Sequence, residues 1–141
     1  TSLPGPYGCG QLGAAARHFI DALVAMNLKV WQFLPVGPTG YGNSPYQPLS
    51  TFAGNELLID IENLIELGLV RPGEAQRLHN LPPEYVDYGQ LVALKNSLLA
   101  SMAAAFPQRA SAQLKAELDS FNAANHTPEA YAPFSNGIVP A

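Results

Sequence analysis

The spacing of apolar side chains predicts a helix and then a short strand in the first third of the chain. Residues 12–28 carry apolar side chains at every third or fourth position: Leu12, Ala16, Phe19, Leu23 and Met26. This spacing is typical of an amphipathic helix. Residues 30–36 form an apolar run with little alternation, which predicts a strand buried on both faces with Trp31 in the core. A helix, a buried strand and then a long loop indicate half of a βα repeat.

Short helices are predicted in the middle of the chain. Residues 57–61 form a second short extended run, and Asp60 then has the position of a helix N-cap. Gly68 is the expected stop of that helix. Pro72 suits the first position of a further helix, which we expect to run to about Asn80.

Two more helices are predicted in the second half. Asp87 and Gln90 have the spacing of a capping box, and the apolar positions after them predict a helix that Pro107 ends. Ser111 is the expected cap of the last helix, which carries on one face Leu114, Leu118 and Phe121. Residues 122–141 are rich in Asn, Pro and Ala, and we expect an irregular tail there.

The loop that follows the predicted strand has an unusual composition. Residues 37–47 contain glycines and prolines that shape the backbone, together with Tyr41, Tyr46 and three small polar residues, Asn43, Ser44 and Gln47. Flat aromatic faces beside amide and hydroxyl groups suit a sugar, whose C–H face packs on a ring while its hydroxyls bind polar partners. The composition alone also fits a structural turn. The glycine spacing does not fit a nucleotide-binding motif.

Composition and charge exclude several classes of partner. The 141 residues suffice for one domain, and 48% of them are hydrophobic. A net charge of −4 without a basic run argues against nucleic acid. No apolar stretch reaches the ~18 residues that a membrane span needs, and the N-terminus lacks a signal-peptide pattern. The single Cys9 favours a reducing compartment, so we expect a cytoplasmic protein.

The sequence gives little support for a metal site or a catalytic nucleophile. His18, His79 and His126 share no ligand spacing, and Cys9 has no metal-binding partner nearby. Ser44 has no neighbouring base that would make it a nucleophile. We therefore expect no metal site.

Three motifs in order resemble the N-terminal part of a 4-alpha-glucanotransferase, or amylomaltase. They are Thr-Ser-Leu-Pro-Gly-Pro-Tyr-Gly at 1–8, Trp-Gln-Phe-Leu-Pro-Val-Gly-Pro-Thr-Gly-Tyr-Gly-Asn-Ser-Pro-Tyr-Gln at 31–47, and Phe-Ala-Gly-Asn at 52–55 followed by Leu-Ile-Asp at 58–60. The resemblance is dense over residues 1 to about 70 and fainter over 71–106.

This resemblance implies an α/β fold: an incomplete N-terminal portion of an elaborated (β/α)8 TIM barrel with a helical insertion. Residues 1–61 would be the start of the barrel with the glucan-site loop, 62–121 a mainly helical insertion subdomain, and 122–141 the tail. Substrates meet such barrels at the C-terminal ends of the strands, where the loop 37–47 would lie.

The resemblance also implies roles for individual residues. Tyr46 and Ser44 match a tyrosine and a serine that contact sugars at the donor-side subsites, and the tyrosine matching Tyr41 lies nearby in some relatives. The implied partner is a malto-oligosaccharide or other α-1,4-glucan, without a cofactor, nucleic acid or membrane. Asn43 stands where many relatives carry Asp, which removes a charge but keeps hydrogen bonding.

The acidic residues of this chain have structural explanations. A retaining transglycosylase needs two carboxyl groups about 5–5.5 Å apart. Asp60 and Asp87 are expected helix caps, and Asp21, Glu62 and Glu66 are expected on exposed helix faces. The resemblance agrees, because the catalytic carboxylates of the family lie on barrel strands beyond the region matched here.

Two departures concern the extent of the chain. The strand that precedes the first motif in relatives is missing before Thr1, and the chain stops at Ala141, before most of the barrel. We therefore expect the N-terminal part of a glucanotransferase that is inactive alone. The alternatives are a stand-alone glucan-binding module without catalysis and a truncated remnant without function.

Overall fold

The computed structural model describes residues 3–48 and 53–124, which form helices joined by loops. The α-helices are α1 (Ala14–Ala25), α2 (Ile61–Glu66), α3 (Pro72–His79), α4 (Tyr88–Arg109) and α5 (Ala112–Ala124). Short 3-10 turns lie at Tyr41–Asn43 and Glu56–Leu58. Within the two described ranges no residue belongs to a strand.

The helix starts and stops that depend on local signals are confirmed. Pro72 occupies the first turn of α3, and Gly68 follows α2 with a φ of 71°, a left-handed value that favours glycine. The Asp87 carboxylate accepts a hydrogen bond from the Gln90 N–H at 3.1 Å. Ser111 Oγ likewise accepts one from the Leu114 N–H at 3.1 Å, as expected of an N-cap.

The prediction of a buried strand over residues 30–36 is wrong. These residues form no strand, Val30 is 84% exposed, and Trp31 is 37% exposed rather than in the core. An extended segment becomes a strand only when its backbone N–H and C=O groups pair with a second extended segment. The described residues supply no such partner, since they are helical or looped around this segment. The α/β prediction is therefore not met by the described part of the chain.

The second predicted extended run, residues 57–61, is also wrong. Glu56–Leu58 form a 3-10 turn, and Ile61 already begins α2. The reason is local: the Asn55 side chain accepts a hydrogen bond from the Leu57 N–H at 2.9 Å, and its carbonyl accepts one from the Leu58 N–H at 3.0 Å. These bonds turn the backbone before it can extend.

Asp60 occupies the predicted N-cap position of α2, but its side chain makes no cap hydrogen bond. The carboxylate lies against Gly13, where a Cβ would overlap it. The first N–H of α2, that of Ile61, is instead bound by the side-chain oxygen of Gln11 at 3.0 Å. A residue distant in sequence thus satisfies this helix end.

The predicted C-terminal ends of α4 and α5 both differ from the structure. Pro107 does not end α4, which continues to Arg109. A proline removes one backbone donor, but the Ala110 N–H still closes the final turn on the Phe106 carbonyl at 2.9 Å. Residues 122–124 belong to α5 rather than to an irregular tail, and the remainder of the predicted tail, 125–141, lies outside the described residues.

One hydrophobic core joins the N-terminal segment to the later helices. Its buried residues are Tyr7, Cys9, Leu57, Ile61, Leu64, Leu69, Val70, Ala75, Leu78, Leu81, Leu91, Leu98 and Ala110. α3 packs on α4, and the turn at Glu56–Leu58 also contacts α4. The core is continuous across the predicted boundary between residues 61 and 62, and that division into subdomains stays a prediction.

A buried lysine lies in the middle of this core. Lys95, on α4, is 0% exposed, and its ammonium donates hydrogen bonds to the Leu57 carbonyl at 2.7 Å and the Ile59 carbonyl at 2.8 Å. Burial lowers the pKa of Lys95 to about 8, because removal from water disfavours the charged form. The two carbonyls compensate part of that cost, so the lysine fixes the 57–59 backbone against α4.

An ion pair holds the end of α4 against the start of α3. The Arg109 guanidinium contacts both carboxylate oxygens of Glu74, at 2.7 and 2.8 Å, and also donates to the Leu69 carbonyl at 2.8 Å. Glu74 accepts a further bond from the Arg71 N–H at 2.8 Å. Hydrogen bonds from Arg109 first, and from Arg71 second, lower the pKa of Glu74 to about 2.

Replacing Arg109 by Gln should destabilise the fold at neutral pH and reduce its sensitivity to acid. The folded pKa of Glu74 lies below its ordinary value, so the stability from this pair is present above pH 4.5 and is lost as the pH falls toward about 2. Urea unfolding between pH 2 and 7 measures this dependence. Arg77→Gln, which removes an exposed arginine from α3, is the matched control. Equal acid profiles for the wild type and Arg109→Gln would refute the role of the pair.

Candidate functional site

The loop 37–47 has a defined backbone built around one tight turn. The Asn43 N–H bonds the Gly40 carbonyl at 3.1 Å, and Gly42 and Asn43 both have positive φ, at 67° and 56°. Glycine and asparagine tolerate this left-handed conformation better than other residues. The Ser44 hydroxyl then accepts a hydrogen bond from the Tyr46 N–H at 3.3 Å. These hydrogen bonds define the backbone conformation of the residues that carry the polar side chains.

The predicted sugar-binding residues lie together on this loop and face solvent to different degrees. Tyr46 is 69% exposed, Asn43 and Gln47 are exposed, and Ser44 is half-buried. Tyr41 begins the turn, but its side chain lies outside the described structure. An exposed tyrosine ring beside amide and hydroxyl groups offers both contacts that a sugar ring uses. Their role in binding stays a prediction.

Gly40 is needed for the loop to close. A Cβ at this position would overlap the backbone carbonyl oxygen of Gln47, which belongs to the other end of the loop. A backbone oxygen cannot rotate away as a side chain does. The two ends of the loop therefore approach each other only because residue 40 has no side chain.

Asn55 attaches this loop to the core, a role that its sequence neighbours did not predict. Its side-chain amide donates to the Gly37 carbonyl at 3.1 Å, while its side-chain oxygen accepts from the Leu57 N–H. The signal available in the sequence was its place in the Phe-Ala-Gly-Asn motif. That place could not show a contact across 18 residues.

Three acidic side chains, those of Glu62, Glu74 and Asp87, have structural partners. The Tyr7 hydroxyl donates to Glu62 at 3.0 Å. Burial and the Glu62 carboxylate raise the pKa of Tyr7 to about 12. Asp87 caps α4 and Glu74 binds Arg109, as described above.

The described residues offer no evident metal site. In the ranges 3–48 and 53–124, no three His, Cys, Asp or Glu side chains form a group that could hold an ion. Cys9 is buried, and its thiol contacts the Leu57 carbonyl at 3.3 Å. The third histidine, His126, lies outside these ranges. In the same described ranges no helix is long and apolar enough to span a membrane.

One face of the molecule is apolar and open to solvent. It combines α1 with residues 28–36 and includes Phe19, Ile20, Val24, Val30, Trp31, Phe33 and Leu34. The rings of Phe19 and Trp31 lie 5.0 Å apart between centroids, and those of Trp31 and Phe33 lie 5.4 Å apart. We call this surface the apolar face. Its three clustered aromatic rings are exposed together, whereas exposed apolar residues on a monomer are normally scattered singly.

Comparisons with known proteins agree on one family. The sequence profile of the 4-alpha-glucanotransferase family matches residues 1–136. The chain is 49% identical over 114 residues to the 4-alpha-glucanotransferase of Thermus thermophilus, which is 79% of this chain and 21% of that protein. It is 39% identical over 121 residues to the 4-alpha-glucanotransferase of a Synechocystis strain, covering 86% of this chain and 24% of that protein.

A solved structure shows the same similarity in three dimensions. The amylomaltase from Streptococcus agalactiae, determined in complex with acarbose, superposes with a TM-score of 0.77 at 35% identity. The match covers 89% of this chain and 25% of that one. The chain thus spans about a fifth to a quarter of the length of these relatives. The similarity extends well past residue 106, where individual motifs cease to be recognisable.

Replacing Gly40 by Ala should open the loop, because the added methyl group overlaps the Gln47 carbonyl. Amide chemical shifts in a ¹⁵N–¹H correlation spectrum should change across residues 37–47, while those of the core stay in place. Gly54→Ala is the matched control, since a Cβ there meets no atom within 4 Å. Unchanged loop signals in Gly40→Ala would contradict the closed loop.

Proposed function

The chain belongs to the 4-alpha-glucanotransferase family, and from this membership we propose that it is the N-terminal part of an enzyme that transfers α-1,4-glucan segments between malto-oligosaccharides. We assign to the loop 37–47 a part of the donor-side sugar site. The observation that carries the proposal is the family match over residues 1–136, which includes this loop. The proposed partner is a malto-oligosaccharide, and the proposed compartment is the cytoplasm.

The proposed reaction is a retaining double displacement. One carboxylate attacks the anomeric carbon of the donor while a second carboxyl group protonates the leaving oxygen. The 4-hydroxyl of an acceptor sugar then replaces the carboxylate in the covalent intermediate. This chemistry requires neither a metal nor an organic cofactor.

In this proposal the chain binds and orients the donor and does not supply the reacting carboxylates. Glu74, Asp87 and Glu62 each have a structural partner, which supports their exclusion. The fraction of the relatives that the chain spans leaves most of such an enzyme outside the matched region. The catalytic pair would then belong to that other part of the enzyme.

The chemistry of the loop supports sugar recognition. The exposed ring of Tyr46 can lie against the C–H face of a glucose unit. This stacking would remove both apolar faces from water. Asn43, Ser44 and Gln47 carry donors and acceptors that suit sugar hydroxyls. The structural neighbour from Streptococcus agalactiae was determined in complex with acarbose, and this agrees with the proposal.

A glucan-binding module without catalysis is the second candidate, and the continuous core from Tyr7 to Ala110 favours it. The apolar face favours the first candidate, because an independent module seldom leaves so many large apolar side chains in water.

A thermal melt with and without a long malto-oligosaccharide separates either of these candidates from a remnant without function. Only binding to the folded state raises the midpoint.

Replacing Tyr46 by Ala should weaken binding of a malto-oligosaccharide by about 1–2 kcal/mol, since one stacking face is lost. This corresponds to about a 5- to 30-fold rise in Kd, which isothermal titration calorimetry measures. Tyr85→Ala removes an exposed tyrosine from the loop before α4 and is the matched control. Equal affinities for Tyr46→Ala and the wild type would remove Tyr46 from the site.

The purified 141-residue chain should not catalyse transfer by itself. Incubation with maltotriose should leave the sugar unchanged, because the proposed site holds only donor contacts. Chromatography of the products is the measurement, with a full-length relative as the positive control. A ladder of longer malto-oligosaccharides from this chain would refute the assignment of the carboxylates.

A further inference from the structure

Asn55 uses both ends of its side-chain amide on two separate pieces of backbone. Its oxygen accepts from the Leu57 N–H at 2.9 Å, and its nitrogen donates to the Gly37 carbonyl at 3.1 Å. An N–H group requires an acceptor and a carbonyl requires a donor, so the two partners together fix the orientation of the amide. The side chain therefore bridges the turn at Glu56–Leu58 and the first residue of the loop 37–47.

The turn end of this bridge is held firmly by the core. The Leu57 carbonyl accepts hydrogen bonds from the buried Lys95 ammonium at 2.7 Å and from the Cys9 thiol at 3.3 Å. The next carbonyl, that of Leu58, accepts from the Leu12 N–H at 3.0 Å. These bonds come from different parts of the chain, so the backbone that carries Asn55 has little freedom relative to α4.

The loop end of the bridge is the part that needs support. Residues 37–47 lie on the surface, and Tyr46 and its polar neighbours contribute no side chain to the buried core. A binding loop that is ordered only when the ligand arrives loses affinity, because binding must then also fix its backbone. A hydrogen bond to Gly37 at the loop entrance supplies order in advance.

We propose that Asn55 is a positioning residue for the sugar-binding loop. Lys95 holds the turn at Glu56–Leu58 against α4, and the Asn55 side chain joins that turn to the Gly37 carbonyl. Residues 37–47 are therefore ordered before the sugar binds. The inference rests on the proposed function, since it assumes that this loop binds the glucan. Asn55 does not contact the sugar in this arrangement. Its contribution is to the geometry of the residues that do.

Two substitutions separate this role from the capping role of the same side chain. Asn55→Asp and Asn55→Ser both keep an oxygen for the Leu57 N–H, and both residue types cap turns and helices well. Asp has no donor for the Gly37 carbonyl, and the Ser hydroxyl is too short to reach it. The serine variant also shows whether the negative charge of Asp has an effect of its own. Asn80→Asp, at an exposed position after α3, is the control for added charge.

The experiment measures loop order and glucan binding separately. Without sugar, ¹⁵N relaxation should report faster motion of residues 37–47 in Asn55→Asp and Asn55→Ser than in the wild type. With maltoheptaose, calorimetry should give a Kd raised about two- to tenfold, as expected for one lost hydrogen bond. The denaturant midpoint should stay close to that of the wild type in the Asn55 variants, and Asn80→Asp should match the wild type in loop relaxation and in Kd.

Each failure has its own meaning. Loop relaxation that is unchanged in both Asn55 variants overturns the tether, whatever the sugar does. Faster loop motion with an unchanged Kd overturns the positioning role, while the proposed function stands. A wild-type chain that does not bind maltoheptaose refutes the proposed sugar site itself, and the relaxation data then still decide whether Asn55 orders the loop. A large fall in the denaturant midpoint of the serine variant would assign Asn55 to the fold rather than to the loop.

Discussion

The buried ammonium of Lys95 is the interaction on which the arrangement of this molecule depends. A lysine without contact with water is costly unless hydrogen-bonded acceptors compensate it, and here the Leu57 and Ile59 carbonyls do so at 2.7 and 2.8 Å. Those carbonyls belong to the segment that joins the N-terminal third of the chain to the later helices. The lysine therefore requires that segment to lie against α4, and the N-terminal residues Tyr7 and Cys9 then complete the core around it.

The same constraint reaches the surface through backbone hydrogen bonds. The segment that Lys95 holds also carries Asn55, and Asn55 binds the entrance of the loop 37–47. A rigid support below an exposed loop is a common arrangement in binding proteins, because the support supplies order and the loop supplies chemistry. The polar and aromatic groups that suit a sugar can therefore lie on a loop, outside the α-helices.

The two sides of the molecule differ in how much of their apolar surface is buried. The side formed by α2, α3 and α4 contributes most of the buried residues of the one core. The apolar face on α1 and residues 28–36 is exposed, and its aromatic rings contact one another. The chain matches about a fifth to a quarter of the length of its relatives, and the exposed apolar face is in keeping with the proposal that it is one part of a larger enzyme.

Features decided by neighbouring residues were predictable from the sequence. Pro72, Gly68, Asp87 and Ser111 mark helix ends by hydrogen bonds and backbone angles within a few residues, so each marked a position that the structure confirms. The motifs at 1–8, 31–47 and 52–60 likewise identified the family, because their residue types and order are specific.

Features decided by distant partners required the tertiary structure. Residues 30–36 have the composition of a strand, but strand formation depends on a second segment to pair with, and the described residues offer none. Lys95 shares a helix face with Leu91 and Leu98, yet only the approach of the 57–59 backbone explains a buried charge there. The bond from Asn55 to Gly37 likewise depends on a fold that brings residues 18 apart into contact. The sequence by itself thus determined the family and the helix ends that Gly68, Pro72, Asp87 and Ser111 mark. The tertiary structure decided which polar groups are buried and what holds the loop, because those outcomes depend on distances between segments that no local pattern encodes.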